Sequence, residues 1–136
     1  MTRTGGCFCG NIRYEIVGPL LHQTVCHCSG CRRSSGAGAL PWITVKTSDF
    51  RLTQGTLAEA QSAQYPKASC DDGCCDGCGG VRTFCPQCGT PISFEDDGRA
   101  EKETDITLGS LDDPRDFSPE EDVFPEQRLP WIKAVK

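Results

Sequence analysis

Seven cysteines fall into three close groups, and that spacing constrains this chain more than any other feature. Cys7-Phe8-Cys9 lies near the start, Cys26-His27-Cys28-Ser29-Gly30-Cys31 follows, and Cys85-Pro86-Gln87-Cys88 comes well after. Thiolates packed this densely repel one another and oxidise unless a soft cation neutralises them. The pattern predicts a protein folded around zinc. It leaves open whether the metal only holds the fold or also does chemistry.

Eleven cysteines in 136 residues approach the ~8–10% at which composition suggests a disulfide scaffold. Three features argue otherwise: the count is odd, the cysteines come in C-x-C and C-x-x-C pairs, and residues 1–6 run into the first pair with no apolar signal region. No stretch approaches the ~20 apolar residues of a membrane span. The expectation is a cytoplasmic protein in a reducing compartment with no membrane partner. The chain is read as one domain, 1–136, with a modest core. With 15 Gly, 9 Pro and no long helical run, a loop-rich, mainly β protein is expected, with one or two short helices. The formal net charge is −5, and each four-thiolate zinc site would add about −2. No basic stripe is present, so a nucleic-acid partner is not expected.

Along the chain, glycines flank Cys7 and Cys9 and permit the positive φ angles of a metal knuckle. Residues 12–17 alternate apolar and polar as a half-buried strand, ended by Gly18-Pro19. A second strand over 20–25 delivers Cys26 to its end. Ser29 is expected to cap a short helix that Gly36 stops, which places Cys31 in the first turn, where the helix dipole favours a thiolate. Residues 40–45 read as a strand, with Pro41 suggesting a sheet edge. Residues 50–57 form a strand into a turn, and 58–65 continue as a meander. Strands flank the Cys85–Cys88 knuckle on both sides, Asp96-Asp97-Gly98 is a turn, and 104–108 is a further strand. Ser118-Pro119-Glu120-Glu121 has the cap, proline and acids of a helix start. Leu129-Pro130-Trp131-Ile132 is expected to act as an apolar anchor, and His22 to lie at the surface.

The thiols then sort into sets. Cys85-Pro86-Gln87-Cys88-Gly89 supplies half of a tetrahedral site, and Cys7-Phe8-Cys9-Gly10, also on a glycine turn, is the natural other half. A closed structural site of Cys7, Cys9, Cys85 and Cys88 follows. Cys26, Cys28 and Cys31 remain as a three-sulfur set with an open fourth position, the arrangement of a catalytic zinc. Alternatively His27, or a cysteine from the 70–78 loop, fills that position; in an extended segment His27 would point away from its neighbours. Cys70, Cys74, Cys75 and Cys78 sit in a segment, 69–80, without aliphatic residues. They could form a third zinc site, redox-active thiols or a lid over the three-cysteine set. The C-x3-C-x2-C spacing of an iron–sulfur motif fails there, because position 77 is glycine.

These motifs resemble the glutathione-dependent formaldehyde-activating enzyme family, which also includes centromere protein V. The matching stretches are Gly6-Cys7-Phe8-Cys9-Gly10, Cys26-His27-Cys28-Ser29-Gly30-Cys31-Arg32-Arg33 followed by Gly36, Phe84-Cys85-Pro86-Gln87-Cys88-Gly89-Thr90, and Gly109-Ser110-Leu111-Asp112-Asp113. The resemblance spans residues 3 to 132. It implies a fold of several small coiled β-sheets, the β-tent. It also implies a structural zinc on Cys7, Cys9, Cys85 and Cys88 and a catalytic zinc on Cys26, Cys28 and Cys31. The activity it implies is carbon–sulfur lyase chemistry, joining glutathione to formaldehyde as S-hydroxymethylglutathione. The chain departs from the family pattern at the Cys-rich insertion of 69–80, and at Asp122-Val123-Phe124, where many members carry a His-Ile-aromatic segment.

The expected reaction is addition of a small thiol such as glutathione to formaldehyde or a similar aldehyde at the three-cysteine zinc. Arg32 or Arg33 is a candidate for holding a substrate carboxylate, against the plainer reading of a solvated helix face. The rival function is a non-catalytic zinc module that binds glutathione or a protein partner.

Overall fold

The computed structural model describes residues 2–64, 80–96 and 98–135. Cys70, Cys74, Cys75 and Cys78 lie outside the described residues, as does Asp97 of the expected turn. The mainly β architecture expected from the sequence is found. Its strands are β1 (Thr2–Gly6), β2 (Arg13–Val17), β3 (His22–Cys26), β4 (Leu40–Lys46), β5 (Phe50–Gln54), β6 (Ala58–Gln61), β7 (Gly80–Phe84), β8 (Pro91–Asp96), β9 (Glu103–Thr107) and β10 (Glu121–Val123). Among the described residues one α-helix, α1 (Ser29–Ser35), follows β3. Among the described residues no helix is long and apolar enough to cross a membrane.

The strands form a three-stranded sheet, β1-β2-β5, and a seven-stranded sheet, β10-β3-β4-β9-β8-β7-β6. Neighbours pair antiparallel, except that β10 runs parallel to β3. Strand alternation gives the large sheet two different faces. Ile43 and Val45 of β4 and Ile106 of β9 point to one face and cluster with Ile92, with Ile12, and with Tyr14 and Ile16 of β2. Tyr14 is fully buried because its hydroxyl shares a hydrogen bond of 2.6 Å with Ser110 Oγ. Each fully buried isoleucine contributes about 1.5–3 kcal/mol. The opposite face carries Trp42 and Phe94, which form a second, smaller core with Leu40, Cys26, Cys28 and Cys31.

Several sequence expectations need correction. Pro41 does not mark an edge, since β4 lies between β3 and β9. The β4–β9 ladder begins at Trp42 opposite Thr107, so Pro41 lies beyond it and its missing N–H costs nothing on that side. The 58–65 stretch does not continue a meander. β5 pairs with β2, whereas β6 joins the other sheet beside β7. Residues 118–123 do not start a helix. Their hydrogen-bonding capacity goes to β3 instead, with Glu120 N donating to Gln23 O and β10 pairing with Thr24 to Cys26. Trp131 does not anchor the C-terminal segment in a core, being 75% exposed, with its ring edge over Gly38.

Candidate metal centres and cleft

Among the described residues, two sets of cysteines have sulfur atoms lying within 4.8 Å of one another: Cys7, Cys9, Cys85 and Cys88, and Cys26, Cys28 and Cys31. All seven are unpaired by disulfides.

The four-sulfur set joins two turns from opposite ends of the chain. Cys7 and Cys9 follow β1, and Gly10 takes φ +84° to close their turn. Cys85 and Cys88 follow β7, and Gly89 takes φ +82° to close theirs. Backbone N–H groups point at the sulfurs: Ile12 N lies 3.2 Å from Cys7 Sγ, and Gln87 N and Cys88 N each lie 3.4 Å from Cys85 Sγ. Cys7 and Cys9 are 3.6 Å apart at sulfur, and Cys9 and Cys85 are 3.8 Å apart. Four thiolates around one ion at ~2.3 Å would be ~3.8 Å apart, so the donor set fits a tetrahedral metal. Its electrostatics point the same way. The hydroxyl and backbone of Thr90 bring Cys88 down to about 5. A backbone hydrogen bond from Asn11 favours the Cys9 thiolate, but desolvation and then the neighbouring sulfurs of Cys7, Cys88 and Cys85 outweigh it and push the thiol up to about 12. Crowded thiols cannot all ionise unless a cation joins them.

The three-sulfur set is built on β3 and α1. β3 ends at Cys26, and the chain turns at His27 into the helix. Ser29 was the expected cap, but Cys28 holds that position, its sulfur accepting from Cys31 N at 3.3 Å. Ser29 is the first helical residue instead. Cys31 does lie in the first turn, and Gly36 ends the helix at φ +76°. Cys26 and Cys28 are 3.3 Å apart at sulfur, and all three residues are buried. Hydrogen bonds from Cys26 and Cys28, then the charge of Arg82, hold the Cys31 thiol down at about 3 against burial. Cys26 is pushed up by its bonds to Cys28 and Cys31 and by burial. In Cys28 the bond from Cys26 favours the thiolate, but the Cys31 interaction and burial override it. Their mutual hydrogen bonds thus drive the three thiols apart, Cys31 towards the thiolate and Cys26 and Cys28 away from it. That donor set suits a soft divalent metal.

Cys26 and Cys31 line a cleft of about 390 Å³ on the second face of the large sheet. The register builds its floor. Across five adjacent strands, His22 stands opposite Thr44, Thr44 opposite Asp105, Asp105 opposite Phe94, and Phe94 opposite Arg82. Arg82 lies over the Phe94 ring at 4.6 Å and places Nη1 and Nη2 each 4.0 Å from Cys31 Sγ. Asp105 is held by Arg99 at 2.6 Å and accepts from Thr44 Oγ1 at 2.6 Å. Trp42 closes one wall beside Phe94, their rings 6.4 Å apart.

His22 is exposed, as expected, and also lines this cleft. Arg32 and Arg33 do not line it; Arg82 and Arg99 do. His27 is not grouped with the trio. It is fully buried, and its Nε2 lies 2.7 Å from Asp122 Oδ1. Sequence reasoning missed Arg82, Phe94 and Asp105. A local signal was available only in β9, where Asp105 alternates with Ile106; in β8 Phe94 stands two residues from Ile92, and a register shift against β7 separates the two.

The family model described as glutathione-dependent formaldehyde-activating enzyme matches residues 2–127. A crystal structure of a Rhodobacter sphaeroides protein superposes with a TM-score of 0.62 at 25% identity, covering 88% of this chain and 99% of that one. No curated protein matches this chain significantly.

Proposed function

Since the chain belongs to the glutathione-dependent formaldehyde-activating enzyme family, we propose that it adds a thiol, glutathione or one like it, to formaldehyde or a similar small aldehyde. Cys26, Cys28 and Cys31 would hold a catalytic zinc, and Cys7, Cys9, Cys85 and Cys88 a structural one. The observation that carries this reading is an asymmetry between the clusters. The four-sulfur set already has a full tetrahedron of donors, whereas the three-sulfur set has one donor fewer and two of its members face a cleft. Zinc bound by the trio would supply a Lewis acid that lowers the pKa of an incoming thiol.

The chain's own residues do the rest. Cys26 and Cys31 present their sulfurs to the cleft, so a substrate thiol enters beside them. Trp42 and Phe94 wall the site with apolar surface and limit water at the reacting atoms. A cleft of this volume suits a small organic substrate. The thiol-rich composition suits a reducing cytoplasm.

Addition of thiols to formaldehyde is already easy without a catalyst, so the test is turnover above the spontaneous rate. Aldehyde-dependent turnover that Cys31→Ala abolishes supports the enzyme. A wild-type rate equal to the spontaneous one leaves a zinc module that binds its thiol without catalysis. Native mass spectrometry counts the metals in the same samples: two zincs are expected, and a third would assign one to Cys70, Cys74, Cys75 and Cys78.

A further inference from the structure

Arg82 brings a guanidinium against the buried cleft thiols. β7 places it directly opposite Phe94, and it lies over that ring at 4.6 Å. A cation over an aromatic face is held in place there. Both terminal nitrogens stand 4.0 Å from Cys31 Sγ, so one forked edge of donors faces the sulfur cluster. Cys31 is only 5% exposed, so the fork acts where water screens little.

Two anions could be met there, if the thiol–aldehyde reading above holds. One is a carboxylate of the thiol substrate. The other is the aldehyde oxygen as the new bond forms. Reach separates them. Arg82 lies within about one sulfur–sulfur separation of the cluster, compared with 3.3 Å between Cys26 and Cys28. On a thiol seated beside Cys31, the aldehyde carbon is one bond from sulfur and its oxygen two. The carboxylates of a glutathione-like peptide are several bonds further out. We infer that Arg82 is a catalytic residue whose two terminal N–H groups receive the aldehyde oxygen as it becomes an alkoxide.

The step balances without redox chemistry. The thiol proton leaves to solvent, the sulfur lone pair forms the S–C bond, and the C=O π pair moves onto oxygen. The alkoxide is stabilised by Arg82, which keeps its own protons, and takes a proton from water to give the hydroxyl of the hemithioacetal. Donors fixed in advance at a developing oxyanion carry a large share of such a barrier.

The test compares wild type, Arg82→Gln and Arg82→Lys with formaldehyde and two thiols: glutathione, and 2-mercaptoethanol, which has no carboxylate. Cobalt-loaded samples report thiol binding through their sulfur-to-metal absorption, independently of turnover. Arg82→Gln is expected to lower kcat about 100-fold with both thiols, with little change in KM and an unchanged cobalt–thiol spectrum. Arg82→Lys should recover part of the loss, since it keeps the charge but not the fork. Should Arg82→Gln fail to fold, the Lys variant carries the test through the same partial loss of kcat with both thiols. A defect confined to glutathione and expressed in KM overturns the proposal in favour of carboxylate binding. Unchanged rates in both variants overturn it outright. A wild type that fails to exceed the spontaneous rate removes the reaction itself, and the assignment of Arg82 falls with it.

Discussion

His27 Nε2 lies 2.7 Å from Asp122 Oδ1, joining the residue between Cys26 and Cys28 to a strand 95 positions later. Against a carboxylate Nε2 is the donor, and Nδ1 is buried with no hydrogen-bond partner among the described residues. His27 N also donates to Val123 O at 3.0 Å, and Val123 pairs with Cys26. Asp122 Oδ2 in turn accepts from Val135 N at 2.8 Å. β10 therefore clamps the Cys26-His27-Cys28 turn through both backbone and side chain, and ties the C-terminal segment to it.

Asp122→Ala should loosen that turn. It strands the His27 N–H in a buried site, at a cost of about 1–3 kcal/mol. Asp122→Asn should cost less, because its amide oxygen still accepts. Urea unfolding measures the stability, and titration with a chromophoric chelator should show one of two metals leaving more readily in Asp122→Ala. Equal stability and equal metal retention would mean that the clamp is incidental.

The two cysteine sets should also respond differently to loss of a ligand. Cys85 is fully buried in the main core with Ile12 and Ile92, so Cys85→Ser would remove a ligand of the proposed structural zinc and place a hydroxyl among isoleucines. It should abolish cooperative unfolding or lower Tm sharply. Cys28→Ser keeps an N-cap oxygen for Cys31 N and sits in the smaller cluster. It should lose one metal and remain folded. Circular dichroism melts with metal counts on both variants decide this, and an unfolded Cys28→Ser would overturn the division of roles.

Much of the site was legible because cysteine spacing and strand alternation are local signals. The knuckles, the strand that delivers Cys26 and the first helical turn that carries Cys31 need only neighbours in sequence. Arg82 was not legible. It comes to Cys31 only because β7, β8, β9 and β4 lie in that order across the sheet, and no local pattern states strand order. The 118–121 stretch misled for a related reason: its helix-start residues were overridden by pairing with β3, a tertiary effect that propensity does not register. Cys28 as cap was missed because sulfur is an unusual N-cap acceptor, chosen here by a turn that a metal site also requires.

Acid should weaken the link between the two chain regions at Arg13 and Asp112. Hydrogen bonds from Arg13 and then Thr4 hold the Asp112 carboxyl below its ordinary value. A lowered folded-state pKa contributes stability above the unfolded value of ~3.9 that is lost as pH falls through the folded one. Both side chains are more than a third exposed, so the contribution should stay under about 1 kcal/mol. The difference in urea midpoint between wild type and Asp112→Asn should therefore shrink as pH drops below about 4. Metal loss at low pH affects both proteins alike, so the difference isolates the carboxylate. A gap that widens on acidification would reverse the sign of the argument.

Gly80→Ala should disturb the cleft from a position that touches no thiol. A Cβ there would stand 2.2 Å from Phe94 Cε1 and 2.5 Å from Cζ. A buried ring cannot swing aside as a flexible chain end does, so Phe94 must shift, at a cost of about 1–3 kcal/mol. Phe94 carries Arg82 on its face and stands beside Trp42. The shift should therefore reach both the guanidinium and the indole. With Trp131 replaced by phenylalanine, Trp42 is the sole tryptophan, and its emission should change on Gly80→Ala together with a lower Tm. If emission and Tm both stay at their parent values, the ring is not confined as the register implies, and Arg82 is held more loosely than the 4.6 Å contact indicates.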